Sequence, residues 1–263
     1  VRSQSDNTQM KTIISKLLSW QPSQETFIAF IAGGVVIALS IAMGAVRSVL
    51  WLSISIRDVG QISLGILFPL IYIYHNGKNY ADYGFSLKRW YFFLPINFVL
   101  GALLLMQFLS DVPPPADFRL DSTVLWTAAF IMLAVIFELI FFYGFLRTIF
   151  EKSFGIIPGI LLSAAFYSLH HAGFQPEFGK LFVVGVIFAA IYRIGNSILL
   201  LYPFFAGVGA TYDVLIQSTE VIPVVYPKIR TLYLTVIILG ILVWIWALNR
   251  KSLQADDLSP ASG

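Results

Sequence analysis

The sequence predicts an all-α protein, a polytopic membrane helical bundle of about eight transmembrane helices. Three observations lead there. Hydrophobic residues make up 58% of the chain and charged residues only 12%, whereas a soluble globular chain is about a quarter charged. So little charge cannot cover a water-facing surface. The apolar residues also gather into eight segments, each near the ~20 residues a helix needs to cross the hydrocarbon. Finally, 16% of the residues are aromatic, 23 of them Phe, which suits lipid-facing and interfacial packing. A soluble enzyme, a nucleic-acid binder and a disordered protein are thereby excluded. The net charge of +3 reads as a topology signal, and no nucleic acid is expected as a partner.

The elements follow in order. In residues 10–20, Met10, Ile13, Ile14, Leu17 and Leu18 recur at helical spacing with Lys11, Ser15, Lys16 and Ser19 opposite. This predicts an amphipathic helix, lying on the membrane face or capping the end of a bundle. The apolar segments are 27–46, 60–75, 91–110, 122–146, 155–170, 180–194, 197–215 and 230–248. The stretch 47–59 carries Arg47, Arg57 and Asp58 and reads as an interfacial connection. Residues 111–121, DVPPPADFRLD, form the clearest loop, because three prolines remove backbone donors and cannot continue a helix. The tail from Arg250 is polar and expected to fray. The chain thus divides into an amphipathic segment at 1–26, one transmembrane domain at 27–249 and a polar tail at 250–263, with no internal repeat.

The first 25 residues contain no apolar core followed by a small-residue cleavage site, so no cleavable signal peptide is expected. With eight spans, the side of the two termini collects eleven basic residues against six on the other. Both termini are therefore expected in the cytoplasm or its organellar equivalent. There is no cysteine, which excludes disulfides, a thiolate nucleophile, Cys-based zinc sites and iron–sulfur clusters.

Chemistry in such a chain resides in polar groups inside apolar segments. Glu138 lies far from either end of its segment, where an ionised carboxylate costs roughly 2.5–3.5 kcal/mol on the insertion scale. It must face protein or a water-filled cavity, as a general base, as a proton carrier or as a structural carboxyl. Its helical stripe runs Thr127, Ile131, Ala134, Glu138 and then Phe141 or Phe142. Arg147, nine residues on, points half a turn away and reads as an interfacial snorkelling residue. His170 and His171 close the fifth segment after Gly155, Gly159 and Ser163, a small-residue seam that lets two helices approach closely. The pair reads either as an interfacial cap or as part of a site. In the seventh segment Pro203 bends the helix and Gly207, Ala210 and Thr211 form a second small-residue face. Asp213 ends that segment, either lining a polar cavity or sitting among the headgroups. Glu138, His170 and His171 lack any zinc-binding spacing such as HExxH, so no metal and no other cofactor is expected.

These residues resemble the CAAX-protease and bacteriocin-processing (CPBP, or ABI) family of intramembrane proteins over roughly residues 80–215. ELIFFYGFLR at 138–147 is similar to the family's Glu-Glu-x-x-x-Arg motif, with Glu138 at the first glutamate. Phe166 to His170 fits Phe-x-x-x-His, and DYGFSLKRW at 82–90 resembles the polar segment that precedes the core. The region from Phe182 through Pro203 resembles the approach to the third motif. Leu139 stands at the second glutamate, Tyr143 at the motif arginine, Gly207 at the third-motif histidine and Thr211 at the Asn/Asp position, with Asp213 just past it.

The resemblance implies a CPBP-like fold and a catalytic pair, Glu138 and His170, that activates water for peptide hydrolysis, with His171, Tyr143, Thr211 and Asp213 as accessory candidates. The changed third-motif positions imply a catalytically impaired relative, acting as a partner-binding subunit or assembly factor of a membrane complex. Its partners would be membrane lipids and another membrane protein, contacted through Phe141, Phe142, Phe145, Phe150, Phe204 and Phe205. The alternative is an intramembrane glutamate-type endopeptidase. A small transporter built on Glu138 is weaker, since no pair of discontinuous helices is visible.

Overall fold

The computed structural model describes residues 15–171, 173–217 and 224–257. Eight principal helices account for the eight apolar segments. They are α1 (Gln24–Ala45), α2 (Leu50–His75), α3 (Trp90–Asp111), α4 (Ser122–Phe154), α5 (Ile156–His170), α6 (Phe178–Gly195), α7 (Phe204–Tyr212) and α8 (Pro227–Asp257). Among the described residues six of them are long and apolar enough to cross a membrane, and α5 and α7 are shorter. All the described secondary structure is helical. The chain is an integral multi-pass membrane protein.

The boundaries differ from the sequence expectation where a helix carries polar residues through an apolar span. The stretch 47–59 is not an interfacial connection: α2 begins at Leu50 and continues through Arg57 and Asp58 to His75, with a π-helical segment at Ile56–Ser63. Its hydrogen bonds reach five residues instead of four, which widens the turn and shifts the register of the side chains. That shift is matched by burial of Asp58, Gln61, Ile62 and Ser63. Helix α4 likewise runs past position 146 to Phe154, with a π-helical segment at Leu139–Leu146. Helix α8 continues to Asp257, so the tail from Arg250 is helical that far. Of the predicted amphipathic helix, residues 10–14 lie outside the described residues; Ser15, Lys16 and Leu17 are helical. Beyond them Ser19 and Gln21 donate backbone hydrogen bonds to the Phe154 and Ser153 carbonyls, at 2.9 and 2.7 Å, which holds the segment against the end of α4.

Helix α4 is the axis of the bundle. Asp121 caps it after the triple-proline loop, accepting from the Val124 N–H at 2.8 Å. Its first half meets α8, α7 and α2, and its second half meets α1, α5 and α6. All eight residues from Leu139 to Leu146 are buried, as expected of a helix that is apolar all round and central. Phe141, Phe142, Phe145 and Phe150 are therefore core residues at 0–1% exposure, and Phe205 is buried as well; of the six phenylalanines proposed as a partner-binding face only Phe204 is exposed. Inward packing of these rings leaves α1, α3 and α8 to present the exposed apolar side chains that lipid would cover.

Two glycines set the helix approaches around the site. Gly155 adopts φ +90° and turns the chain sharply from α4 into α5; a Cβ there would lie 2.6 Å from the Leu17 carbonyl oxygen. Gly207 lets α7 close on α4, where the Met132 sulfur would stand 2.5 Å from an added Cβ.

Candidate active site

Glu138 is the last residue of the regular part of α4, at the junction with the π-helical segment. His170 is the last residue of α5, which doubles back from α4 across Gly155. This hairpin brings the Glu138 Oε1 to 3.6 Å from the His170 Nε2, with side-chain exposures of 19% and 8%. At that separation there is no direct hydrogen bond, and a bridging water suits the geometry. The His170 Nδ1 lies 2.5 Å from the Tyr167 carbonyl oxygen. A carbonyl only accepts, so Nδ1 carries the proton and donates it. When the ring is neutral, its Nε2 lone pair faces Glu138. A carboxylate and an imidazole lone pair facing each other require a shared proton or a water between them.

Aromatic rings wall the pair. Phe137, Phe142 and Tyr167 lie 5.9, 4.7 and 5.6 Å from the His170 ring between centroids, and His171 lies 4.0 Å from it. Such walls exclude bulk water and strengthen the electrostatics of the polar groups they enclose.

The accessory candidates separate into two groups. The Tyr143 hydroxyl, the His171 Nε2 and the Thr211 hydroxyl are each buried without a hydrogen-bond partner. Buried polar atoms are almost always paired; the Tyr83 hydroxyl and the Asn97 side-chain nitrogen share this state. Asp213 does not join Glu138 and His170: its Oδ1 pairs with the Lys180 Nζ at 3.2 Å, with side-chain exposures of 34% and 54%, as a helix-end residue does. At Gly207, the third-motif histidine position, the Met132 side chain occupies the space that a larger residue would enter.

Glu138, His170 and His171 each offer one ligand atom, all within 4.8 Å of one another. Three donors of this kind suit a divalent cation such as zinc. The expectation of no metal site rested on sequence spacing; here folding, through the α4–α5 hairpin, brings the donors together.

Two buried ion networks escaped the sequence reading. Arg147 is not a snorkelling residue: it is 3% exposed. Its guanidinium donates to the Tyr143 carbonyl at 2.8 Å, to Glu151 at 2.7 Å, to the Thr148 hydroxyl at 3.0 Å and to the Asn196 side chain at 3.1 Å. Glu151 also accepts from Arg193 at 2.9 Å, tying α4 to α6 beneath the site. Asp58 takes two hydrogen bonds from Arg230, at 2.7 and 2.6 Å, across the α2–α8 contact. A carboxylate four residues after Arg147 was a legible signal for the first network; nothing local announces the second, whose partners are 172 residues apart.

A helical membrane bundle with a carboxylate and an imidazole facing each other inside it is an arrangement similar to that of the CAAX-protease-like membrane proteins. Residues 120–209 match the family model described as Rce1-like, type II CAAX prenyl endopeptidase Rce1-like. The resemblance to the CPBP family holds over that stretch, which runs from the start of α4 into α7 and contains Glu138, Tyr143, His170, His171 and Gly207. No curated protein and no solved structure matches the chain.

Proposed function

We propose that this protein is an intramembrane endopeptidase in which Glu138 and His170 activate a water molecule. The observation that carries this reading is their facing arrangement at 3.6 Å inside an aromatic enclosure, with the His170 tautomer fixed by the Tyr167 carbonyl. Glu138 takes a proton from water as the oxygen attacks the peptide carbonyl carbon. The C–O bond forms, the carbonyl electrons move to oxygen, and a donor must meet that charge. Tyr143, whose buried hydroxyl has no hydrogen-bond partner among the described residues, is the donor proposed here in place of the altered third motif. Collapse of the intermediate breaks the C–N bond, and the proton held at Glu138 and His170 passes to the leaving amine. The products are a carboxylate and an amine.

The rival reading, a catalytically silent subunit bound to another membrane protein, loses support because five of the six phenylalanines meant for the partner are buried. The test uses the purified full-length protein in lipid nanodiscs with a membrane-anchored peptide, followed by mass spectrometry. Two fragments whose masses sum to the peptide plus one water are expected, and Tyr143→Phe should slow their appearance by roughly 10²–10³-fold, as for an oxyanion donor. An intact peptide, together with a membrane protein that co-purifies stoichiometrically, would establish the subunit reading instead.

A further inference from the structure

The chain has three histidines and no cysteine, so side chains that favour a borderline-soft cation are few. Two of the three are adjacent, and the α4–α5 hairpin sets both beside Glu138. The third, His75, ends α2 and lies outside this group. Each member of the trio brings an acceptor. Glu138 presents Oε1, His170 presents Nε2 at 3.6 Å from it, and the His171 ring lies 4.0 Å from the His170 ring between centroids. The His171 Nε2 is buried with no hydrogen-bond partner among the described residues.

Three lone pairs whose atoms all lie within 4.8 Å of one another repel unless positive charge stands between them. A tetrahedral zinc ion with bonds of about 2.1 Å holds its ligand atoms about 3.4 Å apart, close to the 3.6 Å between Glu138 and His170. The outer contact agrees. His170 donates its Nδ1 proton to the Tyr167 carbonyl, and a backbone carbonyl on the far nitrogen commonly orients a metal-ligating imidazole.

The same geometry decides what a bound ion does. It takes the lone pairs of Glu138 and His170, the two groups that hold and deprotonate water in the endopeptidase reading. A zinc-bound water in a peptidase is served by a separate base, such as the non-ligating glutamate of HExxH. Position 139, next to Glu138, is leucine. Asp58 is held by Arg230 and Asp213 by Lys180, so none of these supplies that base.

We propose that Glu138, His170 and His171 form an inhibitory zinc site, in which the ion displaces the water between Glu138 and His170. His171, one position past the Phe166–His170 motif, makes the pair a three-donor site. Binding rests on the geometry of the donors; inhibition rests also on the endopeptidase reading.

The experiment measures binding separately from turnover. Full-length protein without a polyhistidine tag, stripped with a chelator and placed in nanodiscs of zwitterionic lipid, is titrated calorimetrically with zinc and with magnesium. A one-to-one zinc step and no magnesium step are expected, since imidazole suits zinc. His171→Ala should weaken zinc by more than about 100-fold, beyond the 10–100-fold of an outer-shell change, and His75→Gln should leave it unaltered. Absence of the zinc step in the unaltered protein overturns the proposal without any variant. So does a step that survives His171→Ala or disappears in His75→Gln. The membrane-anchored peptide is then added. Saturating zinc should stop cleavage and a chelator should restore it. Cleavage that zinc leaves unchanged overturns the inhibitory role, and cleavage that zinc accelerates overturns both that role and Glu138 as the base. Cleavage with no zinc step leaves the endopeptidase standing and removes the zinc site. A zinc step with no cleavage at any zinc level does the reverse.

Discussion

Burial decides what each charged side chain of this protein does. Glu138 and His170 stood out in the sequence because an ionisable group in the middle of an apolar run has few structural excuses. Arg147 and Asp58 were harder to read, since each lies near the expected end of a span, where a charge normally reaches the headgroups. The structure instead gives Arg147 four acceptors and leaves it 3% exposed. Removing one member of such a buried network leaves uncompensated polar groups and costs about 3–5 kcal/mol. Arg147→Met is thus expected to lower the melting temperature of the detergent-solubilised protein by several degrees. Asp213→Asn, which removes a half-exposed partner of Lys180, should cost less than about 1 kcal/mol. Equal melting temperatures for Arg147→Met and the unaltered protein would show that the network contributes nothing net.

At the scale of elements, the eight apolar segments were legible because hydrocarbon thickness fixes helix length, and the triple-proline loop was legible because proline lacks the backbone donor. What hydropathy could not show was continuity through polar residues. The π-helical segments in α2 and α4 carry Arg57, Asp58 and the residues after Glu138 at a register that a 3.6-residue stripe does not describe. The stripe drawn from Thr127 toward Phe141 or Phe142 ends at the start of that segment, and Tyr143 came under suspicion from its motif position alone. The small-residue seam of α5 was read correctly as a close approach, and its partner is the end of α4: a Cβ on Gly159 would lie 2.7 Å from the Glu151 backbone. Gly207 follows the same logic, with Met132 filling the space left by the missing side chain. The pairing of Asp58 with Arg230 depends on how helices distant in sequence pack, and no local pattern encodes it.

At the scale of the whole molecule, burial also changes the charge count that sets orientation. Arg57, Arg147 and Arg230 are held in the interior, so they no longer count as loop charges. Setting them aside takes one residue from the eleven on the side of the termini and two from the six opposite, which sharpens the bias. We therefore expect reporter fusions at the two ends of the chain to report the same compartment, the cytoplasm or its equivalent. Opposite signals would mean an odd number of crossings, with one of the two short helices, α5 or α7, failing to span.

The central claim is that a water molecule between Glu138 and His170 does the chemistry. The most direct measurement compares single-turnover cleavage of one membrane-anchored peptide by the unaltered protein, Glu138→Gln and His170→Ala, each first matched for melting temperature. A positioned general base contributes roughly 10²–10⁴-fold, so Glu138→Gln should fall by at least about 10²-fold and His170→Ala by a comparable factor, with folding intact. Cleavage by Glu138→Gln at the rate of the unaltered protein would contradict the account.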